Sequence, residues 1–553
     1  MHQLAGTKTR YRRAHAAPLA GITSGREEEY KTCLLRLIPP DLITHLIALK
    51  GRNSVKIHVL IASCVLLVPS LAKAELKLPN IFGDHMVVQQ KMPVKVWGWT
   101  KPGQEVTVTL AEKSANGKAG ADGRFDVAVP AVDAGGPYTL EIKADETRTI
   151  QDVLVGEVWI CSGQSNMQWN VERSTDADLE RLAAKHPNIR MINFPQVGSQ
   201  EPILTHDRNW MECTPDTVSS FSAVGYFFAR QLHDTIDVPI GMINNAWGGS
   251  ACEAWINRDV LTADPQYAPM MERWAGMEKQ FADLSTKSEL NDDDKKVLQT
   301  LKNQMGGNSR PGNIYNGVLK SHLGYTIRGA IWYQGESNAG RAYQYRELFP
   351  LMISNWRQEW GQGDFPFYWV QLADFYDEKP EPTESAWAEL REAQTMTMAK
   401  LPHTGEAVII DIGEGKDIHP KNKVDVGRRL ARWALANEYG IAVPYHSPQY
   451  RSMEKQDTKI VLTFDHADGG WRPFDVKQPV GFAIAGEDKK FVWADATILP
   501  DGRIEVSSSA VANPVAVRYA WADNPICNMF TTAGLPMTPF RTDDWPGVTV
   551  DNK

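Results

Sequence analysis

Cysteine, long uninterrupted apolar stretches and excess positive charge are all scarce in this sequence, and each scarcity excludes a class of protein. The chain contains 6 cysteines, whose spacing matches neither a zinc site nor a dense disulfide framework. An apolar run near the N-terminus is interrupted by Pro69 and is too short for a convincing membrane span. Lysine and arginine together number 59 against 67 acidic residues, a balance that argues against a nucleic-acid partner.

The segment Val55–Ala74 instead has the parts of a secretory signal peptide. Basic residues stand at its start, an apolar core follows, and its last three residues fit a small-x-small cleavage site. A lipoprotein signal at Cys64 is the rival interpretation, but the apolar run continues well past this cysteine. Because signals begin close to the start of a chain, we predict that translation starts near Val55 at a non-AUG codon and that residues 1–54 are a misannotated extension.

Removal of residues 1–74 predicts a periplasmic or secreted mature protein that is more acidic than the full chain. It would retain four cysteines, Cys161, Cys213, Cys252 and Cys527. One or two disulfide bonds are compatible with an oxidising compartment, and the spacing assigns no pairing.

A chain of 553 residues is too long for a single core, so several domains are expected. Residues 75–150 contain short β-prone runs separated by turn residues, which predicts a small β-sandwich-like domain. One of the predicted turns is Ala115-Asn116-Gly117. Residues 446–553 repeat that pattern and predict a second β domain. Its tryptophans, among them Trp493 and Trp521, are typical of a core, with glycan binding as the alternative.

Residues 151–445 alternate apolar strand-like runs with amphipathic helical segments, which predicts an α/β domain with a parallel sheet. The predicted strands are Val158–Cys161, Ile189–Phe194, Ile240–Asn244, Ile327–Trp332, Phe367–Leu372 and Ala407–Ile412; the predicted helices are Ala223–His233, Tyr343–Trp360, Ala386–Leu401 and Lys423–Tyr439. Residues 264–311 interrupt this rhythm with a long charged segment, and they predict a helical insertion on the surface.

Four strand ends run into polar or glycine-rich turns, and the carboxyl ends of parallel strands meet at one edge of a sheet. The turns carry Ser165, the pair Gly248-Gly249, Gln334 with Asn338, and His419. Acyl transfer needs a nucleophile, donors for an oxyanion and a base, and these turns supply candidates for each in that order along the chain. Each group also has a plain structural interpretation as a turn residue, a helix cap or a satisfied loop amide. Glu336 can be explained as the partner of a loop ion pair.

The blocks GQSNM, NNAWGGS, WYQGESN and DIHPKNK resemble the motifs of the sialate O-acetylesterase family, within the SGNH/GDSL hydrolase superfamily. The resemblance implies an SGNH-type three-layer core with a parallel sheet, flanked by N-terminal and C-terminal β domains. It makes Ser165 the nucleophile and first oxyanion-hole donor, and Gly249 the second donor. Gln334 is favoured as the third donor, with Asn338 next. His419 is implied as general base, and no metal or cofactor is needed.

One position departs from the superfamily pattern Asp-x-x-His. Lys416 stands where the orienting acid belongs, and Asp417 is only two residues before His419. The site is therefore either a Ser165–His419–Asp417 triad of altered geometry or a serine–histidine dyad.

The function implied is a serine carbohydrate esterase that removes O-acetyl groups through an acetyl-serine intermediate. A sialate O-acetylesterase is the first interpretation and an acetylesterase for plant xylan or pectin the second. A non-catalytic glycan-binding protein is the third, and retention of Ser165 and His419 argues against it. A sialate carboxylate favours a bidentate arginine, and Arg208, Arg341 and Arg428 are candidates. The sequence does not indicate an oligomeric state.

Overall fold

One strand, β7 (Thr147–Gly163), joins the N-terminal strands to the central sheet. The computed structural model describes residues Glu75–Lys553. Residues Leu154–Gly156 of β7 pair with β1 (Val87–Gln89), and residues Trp159–Gly163 pair with β11 (Gly329–Tyr333). The predicted domain boundary at 150/151 thus falls inside a continuous strand, so the serine turn at its end is connected to the N-terminal strands without a linker.

The N-terminal strands are antiparallel apart from β1. Strands β3 and β6 pair with each other and β6 pairs with β7, while β2 and β5 form a separate two-stranded sheet. Strand β4 pairs with β3 and includes the predicted turn Ala115-Asn116-Gly117. That prediction was wrong because cross-strand bonds such as Thr107 Oγ1 to Asn116 Oδ1, 2.8 Å, hold this polar segment extended. The bounds are β2 (Val94–Trp99), β3 (Glu105–Leu110), β4 (Lys113–Lys118), β5 (Arg124–Val129) and β6 (Gly135–Lys143).

The central sheet has the order β13-β12-β11-β7-β10-β8-β9, and all its strands are parallel except the edge strand β9. The strands are β8 (His186–Asn193), β9 (Trp210–Cys213), β10 (Ile240–Asn244), β12 (Phe367–Val370) and β13 (Thr404–Ala407). The predicted α/β class is confirmed. Strands β10 and β11 lie on either side of β7. The strands that follow β7 in the chain are therefore added to the sheet on both of its sides. Such a topological switch point leaves a crevice in which α/β proteins bind ligands.

Ten α-helices connect these strands in the described part of the chain, and the predicted long helices are confirmed. They are α1 (Ser165–Gln168), α2 (Ala177–Ala183), α3 (Ala223–Ile236), α4 (Arg258–Ala263), α5 (Ala268–Ser285), α6 (Asp292–Met305), α7 (Asn313–Gly317), α8 (Ala342–Trp360), α9 (Ala386–Lys400) and α10 (Lys423–Asn437). Side chains cap several starts: Ser222 Oγ accepts from Gly225 N at the start of α3 and Asn422 Oδ1 accepts from Asp425 N at the start of α10.

The two faces of β7 are covered differently because its side chains alternate. Val158 and Ile160 belong to a core shared with the N-terminal strands and α8, whereas Trp159 and Cys161 pack with residues of α3 and α10. Trp159 meets Phe228 of α3 edge to face, with ring centroids 5.1 Å apart. A strand buried on both faces explains the continuous apolar run in its second half.

The sixth predicted strand, Ala407–Ile412, is displaced in the structure. Pairing ends at Ala407, and the apolar residues that follow leave the sheet. Val408 and Ile410 pack in the core of the C-terminal strands. The predicted run is therefore buried as expected, but the residues after Ala407 lie outside the strand, and two of them pack against the C-terminal strands.

Two four-stranded antiparallel sheets form the C-terminal region, with orders β14-β15-β19-β18 and β17-β16-β20-β21. The strands are β14 (Gln449–Gln456), β15 (Lys459–Asp465), β16 (Phe482–Ala485), β17 (Val492–Trp493), β18 (Asp495–Ile498), β19 (Ile504–Ser507), β20 (Ala516–Tyr519) and β21 (Phe540–Arg541). Strand β14 was not predicted because its side chains are mostly exposed and polar.

The predicted signal peptide and N-terminal extension lie outside the described residues. Among the residues that the structure describes, no helix has the length and apolar character needed to cross a bilayer. The four cysteines of residues 75–553 are all free, three of them buried.

Candidate active site

Three loops meet at the C-terminal end of β7, which lies between β10 and β11 in the sheet. The serine turn follows β7 directly, the glycine turn follows β10, and the loop with Gln334 follows β11. Gly163 allows the close approach: its φ is +127°, and a Cβ there would lie 2.2 Å from the Tyr333 carbonyl oxygen. Only glycine fits this position, so the sequence Gly-Gln-Ser brings the serine to the sheet edge.

Ser165 and His419 are brought together although 254 residues separate them. Ser165 is the first residue of the short helix α1 and is half-buried. Its Oγ lies 2.8 Å from His419 Nε2, the distance of a hydrogen bond in which an imidazole accepts the hydroxyl proton. His419 comes from the long loop between β13 and α10, which is the source that the sequence predicted.

The imidazole of His419 is held by stacking. Its ring lies 4.9 Å from the Trp169 ring at an interplanar angle of 16°. Burial lowers the pKa of His419, the neighbouring Lys423 and Arg173 charges lower it further, and Asp417 acts in the opposite direction. The imidazole is therefore largely neutral, and able to accept a proton, at pH 7.

Asp417 approaches His419 without meeting it in a good hydrogen bond. The Asp417 Oδ1 to His419 Nδ1 distance is 3.5 Å, and the carboxylate side chain is 42% exposed. The same Oδ1 accepts the backbone N–H of His419 at 2.9 Å. With the two-residue offset, this oxygen thus bonds the backbone of its own turn and lies too far from Nδ1 for a short hydrogen bond.

The glycine turn lies against the serine. A Cβ on Gly248 would come within 3.3 Å of Ser165 Cβ. The Gly248 amide donates to Gln168 Oε1 at 2.8 Å. Gly249 is exposed with a φ of +72°, and within residues 75–553 neither its amide nor that of Ser165 donates to another protein atom. Two free backbone donors beside a serine suit an oxyanion.

Gln334 and Asn338 lie in the scaffold behind the glycine turn, away from the place predicted for them. Gln334 Nε2 donates to Ser250 O at 3.1 Å and to Asn338 Oδ1 at 2.7 Å. Both of its hydrogens are used, so this side chain has none for an oxyanion. Asn338 Nδ2 donates to Glu253 Oε2 at 2.9 Å, and Asn338 is 1% exposed. Both amides hold the turn in place instead of pointing into the site.

A buried polar network that sequence reasoning missed lies beneath the serine and the histidine. Asn166 Nδ2 donates to Glu336 Oε1 at 2.7 Å and to the Ile418 carbonyl at 2.9 Å, next to His419. Lys423 Nζ donates to Asn166 Oδ1 at 2.6 Å. Burial lowers the pKa of Lys423 to about 7 and raises that of Glu336. A lysine in the first turn of a helix, where the dipole disfavours cations, was the available signal.

The three arginines that the sequence offered as partners for a sialate carboxylate do not include the one whose charge acts on His419. Arg341 Nη2 lies 2.5 Å from Glu253 Oε1, and Arg428 lies 3.9 Å from Asp425 on α10. Arg208 is exposed and donates to the Asp207 carbonyl. Arg173 instead lies over Trp169, 5.5 Å from the ring centroid, and it is the exposed arginine whose charge acts on His419.

Known proteins resemble this chain over most of its length. The family model for the carbohydrate esterase, sialic acid-specific acetylesterase domain matches residues 155–287 and 304–436. A crystal structure of a carbohydrate acetylesterase from Xanthomonas citri is 38% identical, covers 85% of this chain and 100% of its own, and superposes with a TM-score of 0.74.

Curated relatives agree with that assignment. The sialate O-acetylesterase of Mus musculus is 29% identical over 83% of this chain and 92% of its own length. The Homo sapiens enzyme of the same name is 28% identical over 84% and 92%. The predicted family resemblance and the predicted class of carboxylic ester hydrolase are confirmed. The chain belongs to the sialic acid-specific acetylesterase family of carbohydrate esterases.

Proposed function

We propose that this protein removes O-acetyl groups from sugars, with Ser165 as nucleophile and His419 as general base. The observation that carries this proposal is the 2.8 Å contact between Ser165 Oγ and His419 Nε2, beside the free amides of Ser165 and Gly249. A non-catalytic glycan-binding protein would not need a serine, a neutral imidazole and two free donors in this arrangement.

The reaction follows from these contacts. Ser165 Oγ attacks the acetyl carbonyl while its proton passes to His419 Nε2, and the oxyanion accepts hydrogen bonds from the Ser165 and Gly249 amides. When the intermediate collapses, the imidazolium returns the proton to the departing sugar oxygen and leaves acetyl-serine. Water then gives a proton to His419 and attacks the acetyl-serine, which releases acetate and restores the serine.

The base functions in this proposal as part of a dyad that is oriented mainly by packing. Stacking on Trp169 fixes the ring plane, and Asn166 holds the carbonyl of the preceding residue. Asp417 contributes a weak, solvent-screened attraction because it is 3.5 Å away and partly exposed.

An O-acetylated sialic acid is the substrate that we propose first. The description of the family model and the names of the mouse and human relatives support it, and the exposed Arg173 offers a cation for the carboxylate. Acetylated plant polysaccharide remains the second candidate, because the related Xanthomonas citri protein is known only as a carbohydrate acetylesterase, a name that covers such substrates.

The proposal also includes a prediction about the fold of the core and one about the location of the protein. The order of the four motif blocks supports an SGNH-type core, flanked by β domains at 75–150 and 446–553. The basic start, apolar core and cleavage site of Val55–Ala74 support export to the periplasm or beyond.

Acetate release tests the proposed function. Wild type, Ser165→Ala and the control Ser509→Ala, which changes an exposed serine of the C-terminal region, are each given 9-O-acetylated sialic acid and acetylated xylan. We expect wild type and control to release acetate and Ser165→Ala to lose at least about a thousandfold. Full activity in Ser165→Ala would refute the mechanism, and the better of the two substrates selects the sugar class.

A further inference from the structure

A pocket lies between α5 and α6, the two long helices of the segment that was predicted to be an insertion. Its volume is about 380 Å³, within the range of small-molecule sites. The lining residues are Trp274, Met277, Thr300, Asn303, Gln304, Gly307, Asn308 and Ser309. The fold does not need an open cleft here, since two such helices can pack without one.

Asn308 connects this α5–α6 pocket to the catalytic glycine turn. Its Nδ2 donates to the Gly248 carbonyl at 2.6 Å, and its own carbonyl accepts the Ala251 amide at 3.2 Å. A Cβ on Gly249 would lie 3.2 Å from Asn308 Nδ2. Asn308 therefore lines the pocket and also contacts the glycine turn that lies against Ser165, so the pocket adjoins the site on the far side of this turn.

The lining has the chemistry of a site for an uncharged sugar. Trp274 and Met277 give an apolar surface for the C–H face of a ring. The side chains of Asn303 and Gln304 supply amides that donate and accept, as sugar hydroxyls require. The Gln304 side chain makes no hydrogen bond to any residue in the described range 75–553, so it is available for a ligand.

Charge argues against an anionic sugar in the same pocket. No lining residue is charged. Arg310 follows the lining residue Ser309 and binds Glu278 at 2.9 Å, and Arg258 binds the same carboxylate at 2.6 Å. The attraction of these two arginines to a carboxylate is therefore already satisfied, and the lining itself holds no cation for a sialate.

We propose that the α5–α6 pocket is a subsite for an uncharged sugar unit adjoining the acetylated unit of the substrate. This inference rests on the proposed esterase function. It deepens that function by assigning the helical segment a role in recognising an oligosaccharide in preference to a single acetylated sugar.

Binding to an inactive enzyme tests the subsite without turnover. Ser165→Ala is applied to an array of neutral and sialylated oligosaccharides, alone and combined with Asn303→Ala and Gln304→Ala. Both added changes are at exposed positions of α6, so folding should be retained. Gln280→Ala, an exposed amide on α5 outside the pocket, is the matched control. We expect binding to neutral oligosaccharides that weakens about tenfold in the triple variant and is unchanged in the control.

Kinetics with the active enzyme separate this inference from the proposed function. Asn303→Ala with Gln304→Ala should raise KM for an acetylated neutral oligosaccharide about tenfold and leave 4-nitrophenyl acetate, which has no sugar, unaffected. Binding confined to sialylated glycans, no binding at all, or equal binding by the triple variant would overturn the subsite. Sugar binding without any acetate release by wild type would overturn the proposed function and leave the subsite standing.

Discussion

At the scale of single residues, the position of His419, the proposed general base, depends on neighbours that no hydrolase pattern names. Asp417 is offset from Nδ1 of His419, whereas Trp169 stacks on the ring and Asn166 fixes the adjoining carbonyl. Lys423 lies behind this network with its Nζ on Asn166. The charges around the imidazole are thus Asp417, Lys423 and Arg173.

Asp417→Asn should lower kcat by less than about tenfold, in contrast to the ~10⁴-fold loss that follows when an aligned triad carboxylate is neutralised. The reason is the 3.5 Å, partly exposed contact. Because Asp417 raises the pKa of His419, the acid limb of the kcat/KM profile should also move to lower pH. Steady-state kinetics between pH 4 and 9 measure both effects, and a loss above a thousandfold would establish a true triad.

Lys423→Met should move the same acid limb in the opposite direction. The Lys423 charge lowers the pKa of His419, and below its own pKa of about 7 the lysine is largely protonated. Its removal raises the pKa of the base, so activity is lost at a higher pH on acidification. Arg428→Met, at an exposed position of the same helix, is the control. An unmoved acid limb in Lys423→Met would show that the buried charge does not act on the base.

At the scale of elements, the glycine turn after β10 depends on a residue from the helical segment. Asn308 bonds both Gly248 and Ala251, so the turn that follows α6 holds the glycine turn that presents the Gly249 amide. Gln334 supports the turn from the other side through Ser250. An oxyanion donor is useful only when it is held in place before reaction.

Asn308→Ala should therefore reduce kcat about tenfold to a hundredfold with little change in KM. The loss should be equal for 4-nitrophenyl acetate and for sugar esters, because the turn acts on the acetyl group that all of them share. Asn303→Ala, on α6 just before Asn308 but without a bond to the glycine turn, should leave 4-nitrophenyl acetate hydrolysis unchanged. A loss confined to sugar esters would place Asn308 in substrate binding alone.

At the scale of the whole molecule, the C-terminal tail is fastened to the helices beside the active site. The Glu389 carboxylate on α9 is 1% exposed and accepts the Val548 amide at 2.6 Å and the Thr549 amide at 3.2 Å. Thr549 Oγ1 also bonds Glu389, and it accepts from the Tyr343 amide at 2.9 Å. The tail therefore satisfies a buried charge that belongs to the α/β part of the chain.

Deletion of residues 547–553 should destabilise the protein by about 3 kcal/mol or more, because it leaves the buried Glu389 carboxylate without these donors. Thermal unfolding followed by circular dichroism measures the loss as a lower Tm. Deletion of residues 551–553 alone, which are exposed, should leave Tm nearly unchanged. Equal Tm values for the two truncated proteins would show that the tail contributes no stability through Glu389.

The sequence by itself determined most strands of the central sheet, the long helices and the candidate pair Ser165 and His419. Apolar runs such as Ile240–Asn244 had to be buried. Their short length and the turn residues that flank them indicated strands in preference to helices. Ser165 and His419 followed from turns at strand ends, because parallel strands bring those ends to one edge whatever the detailed packing. A continuous strand such as β7 leaves no composition signal at 150/151, so the connection there was not predictable.

Only the tertiary structure decided which polar groups are free to act. Gln334 and Gly249 both belong to motif blocks, but neighbours take every hydrogen of the Gln334 amide whereas the Gly249 amide stays open. Lys423 and Asn308 became part of the site through contacts with Asn166 and Gly248, residues far from them in the sequence. Hydrogen-bond partners and desolvation are set by three-dimensional contacts across loops, and no local pattern encodes them.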